Sequence, residues 1–188
     1  MLSSSGMQTT DSIDVASPPP SIKPRTKRLL FWGAALSVIV LDQITKGVVR
    51  TGLGRGESWP DADWPIRIRY VTNSGAAFGI LQDQTTFLIV TALIGLTAIY
   101  LYYRFPPFDH WIVPIAIGLM LGGAVGNLID RIRVGRVTDF VDVGWFPAFN
   151  VADSSITIAI AVLVIGYVFL WDGPTKKPPE EESATADS

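Results

Sequence analysis

Four long apolar runs, separated by short polar stretches, set the pattern of this chain. Residues 29–49, 85–103, 111–129 and 154–171 are each long enough, as helix, to cross a hydrocarbon layer of about 30 Å. Four spans predict a membrane helical bundle with both chain ends on one side. Between the first two runs, "PIRIRYV" alternates Ile66, Ile68 and Tyr70 with arginines, as a half-buried strand does. "GRVTDFVDV", residues 135–143, has a similar β-branched composition and could pair with it. The expected fold class is a membrane all-α core of four transmembrane helices with a small β element over 50–72 and 135–149.

The ends of the chain read differently. Residues 1–28 begin rich in Ser, Thr and Pro and finish in the basic "KPRTKR", predicting a disordered extension with a basic flank. Residues 172–188 form a polar acidic tail, also expected to be disordered. The first apolar run exceeds a signal-peptide core of about 7–15 residues and lacks a following small-residue cleavage pattern, so it reads as a span. Its basic flank assigns both termini to the cytoplasm, although Arg50, Arg55, Arg67, Arg69, Arg131, Arg133 and Arg136 lie in the outer segments.

Composition narrows the chemistry. Of 188 residues, 48% are hydrophobic, as membrane residence requires, and a net charge of −2 gives no reason to expect nucleic acid as a partner. There is no cysteine, and His110 is the only histidine, so disulfides, thiolate metal sites and a cysteine nucleophile are excluded. Neither metal nor cofactor is expected. Catalysis must rest on carboxylate, lysine, serine or tyrosine.

Charged groups in spans are costly, about 2.5–3.5 kcal/mol each at a helix centre, so each needs a reason. Asp42 and Lys46 stand four apart on one face of the first span, either neutralising each other or shaping a polar site. In "GGAVGNLIDR", residues 122–131, the glycines allow close approach of a neighbouring backbone. Asp130 reads there as an ion-pair partner of Arg131, which could instead hold a substrate acceptor. Asp139 and Asp142 have odd spacing and so face opposite sides of a strand; periodicity weakly favours Asp139 for the bundle. Asp153 reads as the N-cap of the fourth span.

An antiparallel pairing of the third and fourth spans brings Asp139 and Asp153 to the same boundary. Two neighbouring carboxylates cannot both ionise cheaply, so the pair holds one proton and one base, the equipment of an aspartic protease. Two rival readings stand beside it. One is a Ser–Lys peptidase using Ser74, Ser154 or Ser155 with Lys46, disfavoured because Asp42 keeps that lysine charged. The other is a small proton-coupled transporter, disfavoured because the aspartates gather at one face.

The strings "LDQITK", "NSGAAFG", "GGAVGNLIDR", "VTDFVDV" and "FNVADSSI" occur in this order across residues 29–171. In them the chain closely resembles the lipoprotein signal peptidase (signal peptidase II) family of membrane aspartic peptidases. The resemblance implies a catalytic pair at Asp139 and Asp153. It also implies that Asp42, Lys46, Asn73, Gly75, Asn127, Asp130, Arg131 and Asn150 surround the site, shaping it or contacting substrate and inhibitor, with Asp142 less critical. Further implied are an extracytoplasmic β-cradle and a mobile surface helix after "NSGAAFG". The implied substrate is a prolipoprotein bearing diacylglycerol on the future N-terminal cysteine, cut just before that residue. A globomycin-type inhibitor, membrane lipid, a monomeric state and a bacterial cytoplasmic membrane location with the site facing outward complete the expectation.

Overall fold

The computed structural model describes residues 22–60, 64–75, 84–106 and 110–170. The surface helix expected after "NSGAAFG", most of the N-terminal extension and the acidic tail lie outside the described residues. Four helices, α1 (Pro24–Gly52), α2 (Thr85–Arg104), α3 (Ile112–Val134) and α4 (Val151–Leu170), are each long and apolar enough to cross a membrane. A three-stranded antiparallel sheet, in the order β1 (Ser58–Trp59), β2 (Arg67–Asn73) and β3 (Val137–Asp142), completes the fold. The expected membrane bundle with a small sheet is therefore what forms.

Helix α1 begins at Pro24, so it takes in most of the basic flank ahead of the expected span from residue 29. Proline lacks the N–H that a first helical turn leaves unpaired anyway, so it starts a helix without loss.

The amphipathy of α1 is that of a membrane helix turned inside out. Leu29, Trp32, Leu36, Val40, Ile44 and Val48 form its exposed stripe, at the three- and four-residue steps of one face. Its buried stripe begins apolar, with Phe31, Ala35 and Val38, turns polar at Asp42 and Lys46, and closes on Val49. The bundle divides accordingly. At one end Phe31, Ile99, Val113, Ile117 and Leu163 form an apolar core, with Phe31 stacked on Tyr103 at 4.1 Å between ring centroids. Polar side chains fill the other end.

Helix α3 lies at the centre and touches the other three helices. Its glycines serve two neighbours, not one. A methyl added at Gly122 would stand 2.7 Å from the Ala35 carbonyl oxygen of α1, and one at Gly126 would stand 2.7 Å from Asp42 Oδ2. A methyl at Gly123 would meet Ser155 and Ile156 of α4. These glycines let α1 and α4 approach α3 closely enough for short polar side chains to bond across the gaps.

The predicted pairing of the two strand-like segments forms, with one irregularity. Arg67 pairs with Asp142 and Ile68 with Val141, but Val71 pairs with Asp139, so β2 carries one extra residue between Ile68 and Val71. Ile66, expected in the half-buried alternation, is exposed and precedes the strand. The extra residue has a geometric effect. Arg67 and Asn73 are an even number of residues apart and would share a face in a regular strand; the bulge puts them on opposite faces. That matches β3, whose Asp142 and Asp139 already face opposite ways.

Candidate active site

After β3 the chain turns at Gly144, whose φ of 82° suits a residue without Cβ. It then returns antiparallel to β3, with Phe149 and Val141 exchanging backbone hydrogen bonds of 2.8 and 3.1 Å. This return delivers Asn150 beside Asp139 and starts α4. The Asn150 side-chain Oδ1 accepts from the Asp153 N–H at 2.9 Å, and Asp153 Oδ2 accepts from the Asn150 N–H at 3.2 Å. Two unpaired amides are satisfied reciprocally, as in a capping box. The N-cap is thus Asn150, and Asp153, expected in that position, sits three residues on. Asp42 Oδ1 of α1 accepts from another amide of this first turn, the buried Ala152 N–H, at 3.0 Å.

Two layers of polar side chains lie beneath. In the lower layer the Lys46 ammonium donates to Asp42 Oδ2 at 2.7 Å and Asn127 Oδ1 at 2.9 Å, with Asp130 Oδ2 at 3.6 Å. Lys46 and Asp42 are fully buried. Asp130 does not pair with Arg131, as sequence adjacency suggested, because neighbouring residues on a helix point about 100° apart. Its partners are Arg50 Nη2 at 2.6 Å and the Thr138 N–H at 3.0 Å, while Gln43 reaches the Gly126 carbonyl at 3.2 Å. Arg50 and Gln43 were missed as site residues. Arg50 was legible in principle, lying one helical turn beyond Lys46 and two beyond Asp42.

The upper layer holds Asp139 and Asp153. Asp139 Oδ1 accepts from Asn150 Nδ2 at 2.7 Å, and its Oδ2 from Asn73 Nδ2 at 3.1 Å. Asn73 is oriented by its own Oδ1, which accepts from the Gly75 N–H at 2.9 Å, so its amide group must face Asp139. Asp153 Oδ1 accepts from Asn127 Nδ2 at 2.8 Å. Asn127 in turn is fixed by Lys46 on its carbonyl side. Three asparagines, each with its carbonyl already engaged, present N–H groups to the two carboxylates.

A cavity of about 560 Å³ opens over this layer, lined by Asp139, Asp153, Asn73, Asn127 and Arg131 on its polar side. Phe146, Phe149, Ile156 and Ile158 make its apolar wall. Ile158 is also 54% exposed on the lipid-facing side of α4, so the cavity reaches the flank of the bundle. Asp142 faces away from it. Burial alone would raise the Asp142 carboxyl, but the Gly144 amide at 2.8 Å and Arg67 at 2.9 Å, with Arg69, hold it below the usual carboxylate range.

Asp139 is pushed the other way, from an ordinary 3.8 to about 6. Burial is the largest cause and the charge of Asp153 the next, opposed by the amides of Asn73 and Asn150 and by Lys46. The folded chain therefore binds this proton more tightly than the unfolded chain, so its contribution to stability falls as pH rises from about 4 to about 6. Asp139→Asn removes that loss. Above pH 7 the variant in detergent is expected to melt at a higher temperature than the parent, with the gap closing as pH is lowered through 6 towards 4. A gap independent of pH would contradict the assignment.

The profile described as Signal peptidase (SPase) II matches residues 34–169, which take in both carboxylates and every side chain of the two layers. The chain belongs to the signal peptidase II family. It is thereby a membrane aspartic endopeptidase. A lipoprotein signal peptidase of Dehalococcoides mccartyi is 39% identical over 147 residues, covering 76% of this chain and 91% of that protein. One from Moorella thermoacetica is 42% identical over 134 residues, covering 71% and 89%. A bacterial membrane enzyme solved by the in meso method is 31% identical with a TM-score of 0.71, covering 84% of this chain and 97% of that one. Two of the three serines weighed for Ser–Lys chemistry are engaged elsewhere: Ser155 donates to the Ala152 carbonyl at 2.7 Å and Ser154 to the Asn150 carbonyl at 3.0 Å. Lys46 is occupied by Asp42 and Asn127, and family membership sets aside the transporter reading.

Proposed function

We propose that Asp139 and Asp153 activate water to cleave diacylglyceryl-modified prolipoproteins just before the lipidated cysteine. One observation carries the assignment. Asp42, Asp130 and Asp142 each have a cation within 4 Å, whereas Asp139 and Asp153 have only neutral amide donors among the described residues. A cation holds a carboxylate ionised, while neutral donors leave it able to gain and lose a proton. The pair shares one proton between two acids, and its apparent pKa values belong to the pair.

The ionised member takes a proton from water as the water oxygen attacks the peptide carbonyl carbon. The protonated member donates to the carbonyl oxygen as charge develops there. Collapse of the tetrahedral intermediate passes a proton to the cysteine nitrogen and breaks the C–N bond. The products are a signal peptide with a free carboxylate and a lipoprotein with a free α-amine. Asp42, Lys46, Asn73, Gly75, Asn127, Asp130 and Asn150 position the pair, and Arg131 is placed at the cavity to hold a substrate acceptor. The opening beside Ile158 suits entry of a lipid-bearing substrate from the bilayer.

In this reading the basic start of α1 lies in the cytoplasm and the site faces the outer side of the bacterial cytoplasmic membrane. A globomycin-type cyclic peptide would occupy the same cavity. The test is cleavage of a diacylglyceryl-prolipoprotein by the purified chain, with and without globomycin. Cut product that appears only from lipidated substrate, and is suppressed by the inhibitor, is the expected result. Equal cleavage of the unlipidated precursor would overturn the substrate assignment.

A further inference from the structure

Thr138, which directly precedes Asp139, is held through its backbone and its side chain alike. Its N–H donates to Asp130 Oδ2 at 3.0 Å, its hydroxyl accepts from Arg50 Nε at 2.8 Å, and its carbonyl accepts from Asn150 Nδ2 at 3.3 Å. It is 2% exposed. Arg50 joins two of these contacts, because its Nη2 meets Asp130 Oδ1 at 2.6 Å while its Nε meets Thr138. A guanidinium is a rigid planar fork, so the two bonds fix one spacing between α3 and β3. An arginine in the last turn of a helix ordinarily lies near the unpaired carbonyls with its head reaching for water. Arg50 does otherwise: its side chain is only 25% exposed, and Nε and Nη2 both meet groups of the bundle.

We infer that Arg50 is a positioning residue for the peptidase reaction: by bridging Asp130 and Thr138 it ties the end of α1 to the residue before Asp139 and sets where that carboxylate stands relative to Asp153. The inference rests on the reading of Asp139 as half of the proton-sharing pair. The peptide joining Thr138 to Asp139 is planar and stiff, so a shift or rotation of Thr138 is passed on to Asp139. Asp130 has no equal substitute for Arg50 among the described residues. Lys46 stands 3.6 Å from it and is already committed to Asp42 at 2.7 Å and to Asn127 at 2.9 Å. Neither Arg50 nor Thr138 lines the cavity over the pair, so a bound substrate should not touch them. Their effect belongs to turnover, not to binding.

The test is steady-state cleavage of a diacylglyceryl-prolipoprotein by the folded full chain in detergent, carrying Arg50→Gln, Thr138→Val or both. Each single substitution is expected to lower kcat by about 10- to 100-fold with KM unchanged, the upper figure being the cost of a displacement of roughly 1 Å at the reacting groups. The double variant should lose much less than the product of the two effects, because both substitutions break the same bridge. Thr51→Val, on the same turn of α1 but exposed and bonded only within its helix, should leave kcat and KM at the parental values. Thr138→Val keeps the charges of Asp42, Lys46, Asp130 and Arg50 and a β-branched side chain in the strand, so it carries the test alone if Arg50→Gln fails to fold. A parental kcat in either single variant, fully multiplicative effects in the double variant, or a loss confined to KM overturns the inference. Failure of the underlying reading would look different: Asp139→Asn would then itself cleave at the parental rate.

Discussion

Asparagine in place of Asp139 or of Asp153 is expected to lower turnover of a lipidated prolipoprotein by at least about a thousandfold, within the ~10²–10⁴ range of general acid–base catalysis. Each substitution keeps the side-chain shape but fixes the group as neutral, so the pair can no longer pass a proton. The fold should survive. In Asp139→Asn the new NH₂ must face Asn73 or Asn150, which both present N–H groups, and in Asp153→Asn it must face Asn127 or the Asn150 amide. One lost hydrogen bond of this kind costs about 1–3 kcal/mol, offset by removal of a buried charge. The double variant should be no slower than either single one, because the two residues act as a unit. Near-normal cleavage by either single variant, measured on purified protein that still unfolds cooperatively, would remove that aspartate from the mechanism.

The largest effect on stability should come from Asp42→Ala. It strips the fully buried Lys46 of its 2.7 Å partner and deprives the Ala152 N–H of its acceptor. Breaking a buried ion pair from one side costs about 3–5 kcal/mol, because the remaining charge stays in a low dielectric. Asp42→Asn keeps an acceptor for Ala152 while losing the charge, and should fall between the parent and the alanine variant in thermal unfolding in detergent. Asp42→Ala should also lose activity beyond its loss of folded protein, since Ala152 directly precedes Asp153. If Asp42→Ala and Asp42→Asn melt alike, the bond to α4 contributes nothing.

Much of this was legible in the sequence because membranes simplify the physics. A span must be apolar and long, so the four runs announced four helices, and the charges tolerated within them announced the site. Other features were hidden for specific reasons. The start of α1 at Pro24 lies ahead of the first apolar run, since hydropathy reports where the bilayer ends and a helix continues past it. In sequence Asp153 reads as the cap because "NVAD" holds two cap-forming residues three apart, and only geometry shows that they bond reciprocally. Asp130 was matched to its neighbour Arg131, whereas Arg50, distant in sequence, is brought to it by the approach of α1 to α3. The two-residue β1 and the bulge in β2 leave no trace in composition.

The return of the chain after β3 behaves as a ruler. Asp139 and Asn150 are 11 residues apart and meet at 2.7 Å, and every residue between them is spent reaching the turn and coming back. Substitutions at the tip, where Trp145 is 86% exposed, change only what the loop presents to its surroundings. A single inserted or deleted residue is another matter: it would rotate Asn150 out of register with β3 and carry the start of α4 with it. Chain length in this segment is thus under tighter constraint than residue identity, and grafting a longer or shorter loop there would separate the two carboxylates without touching either.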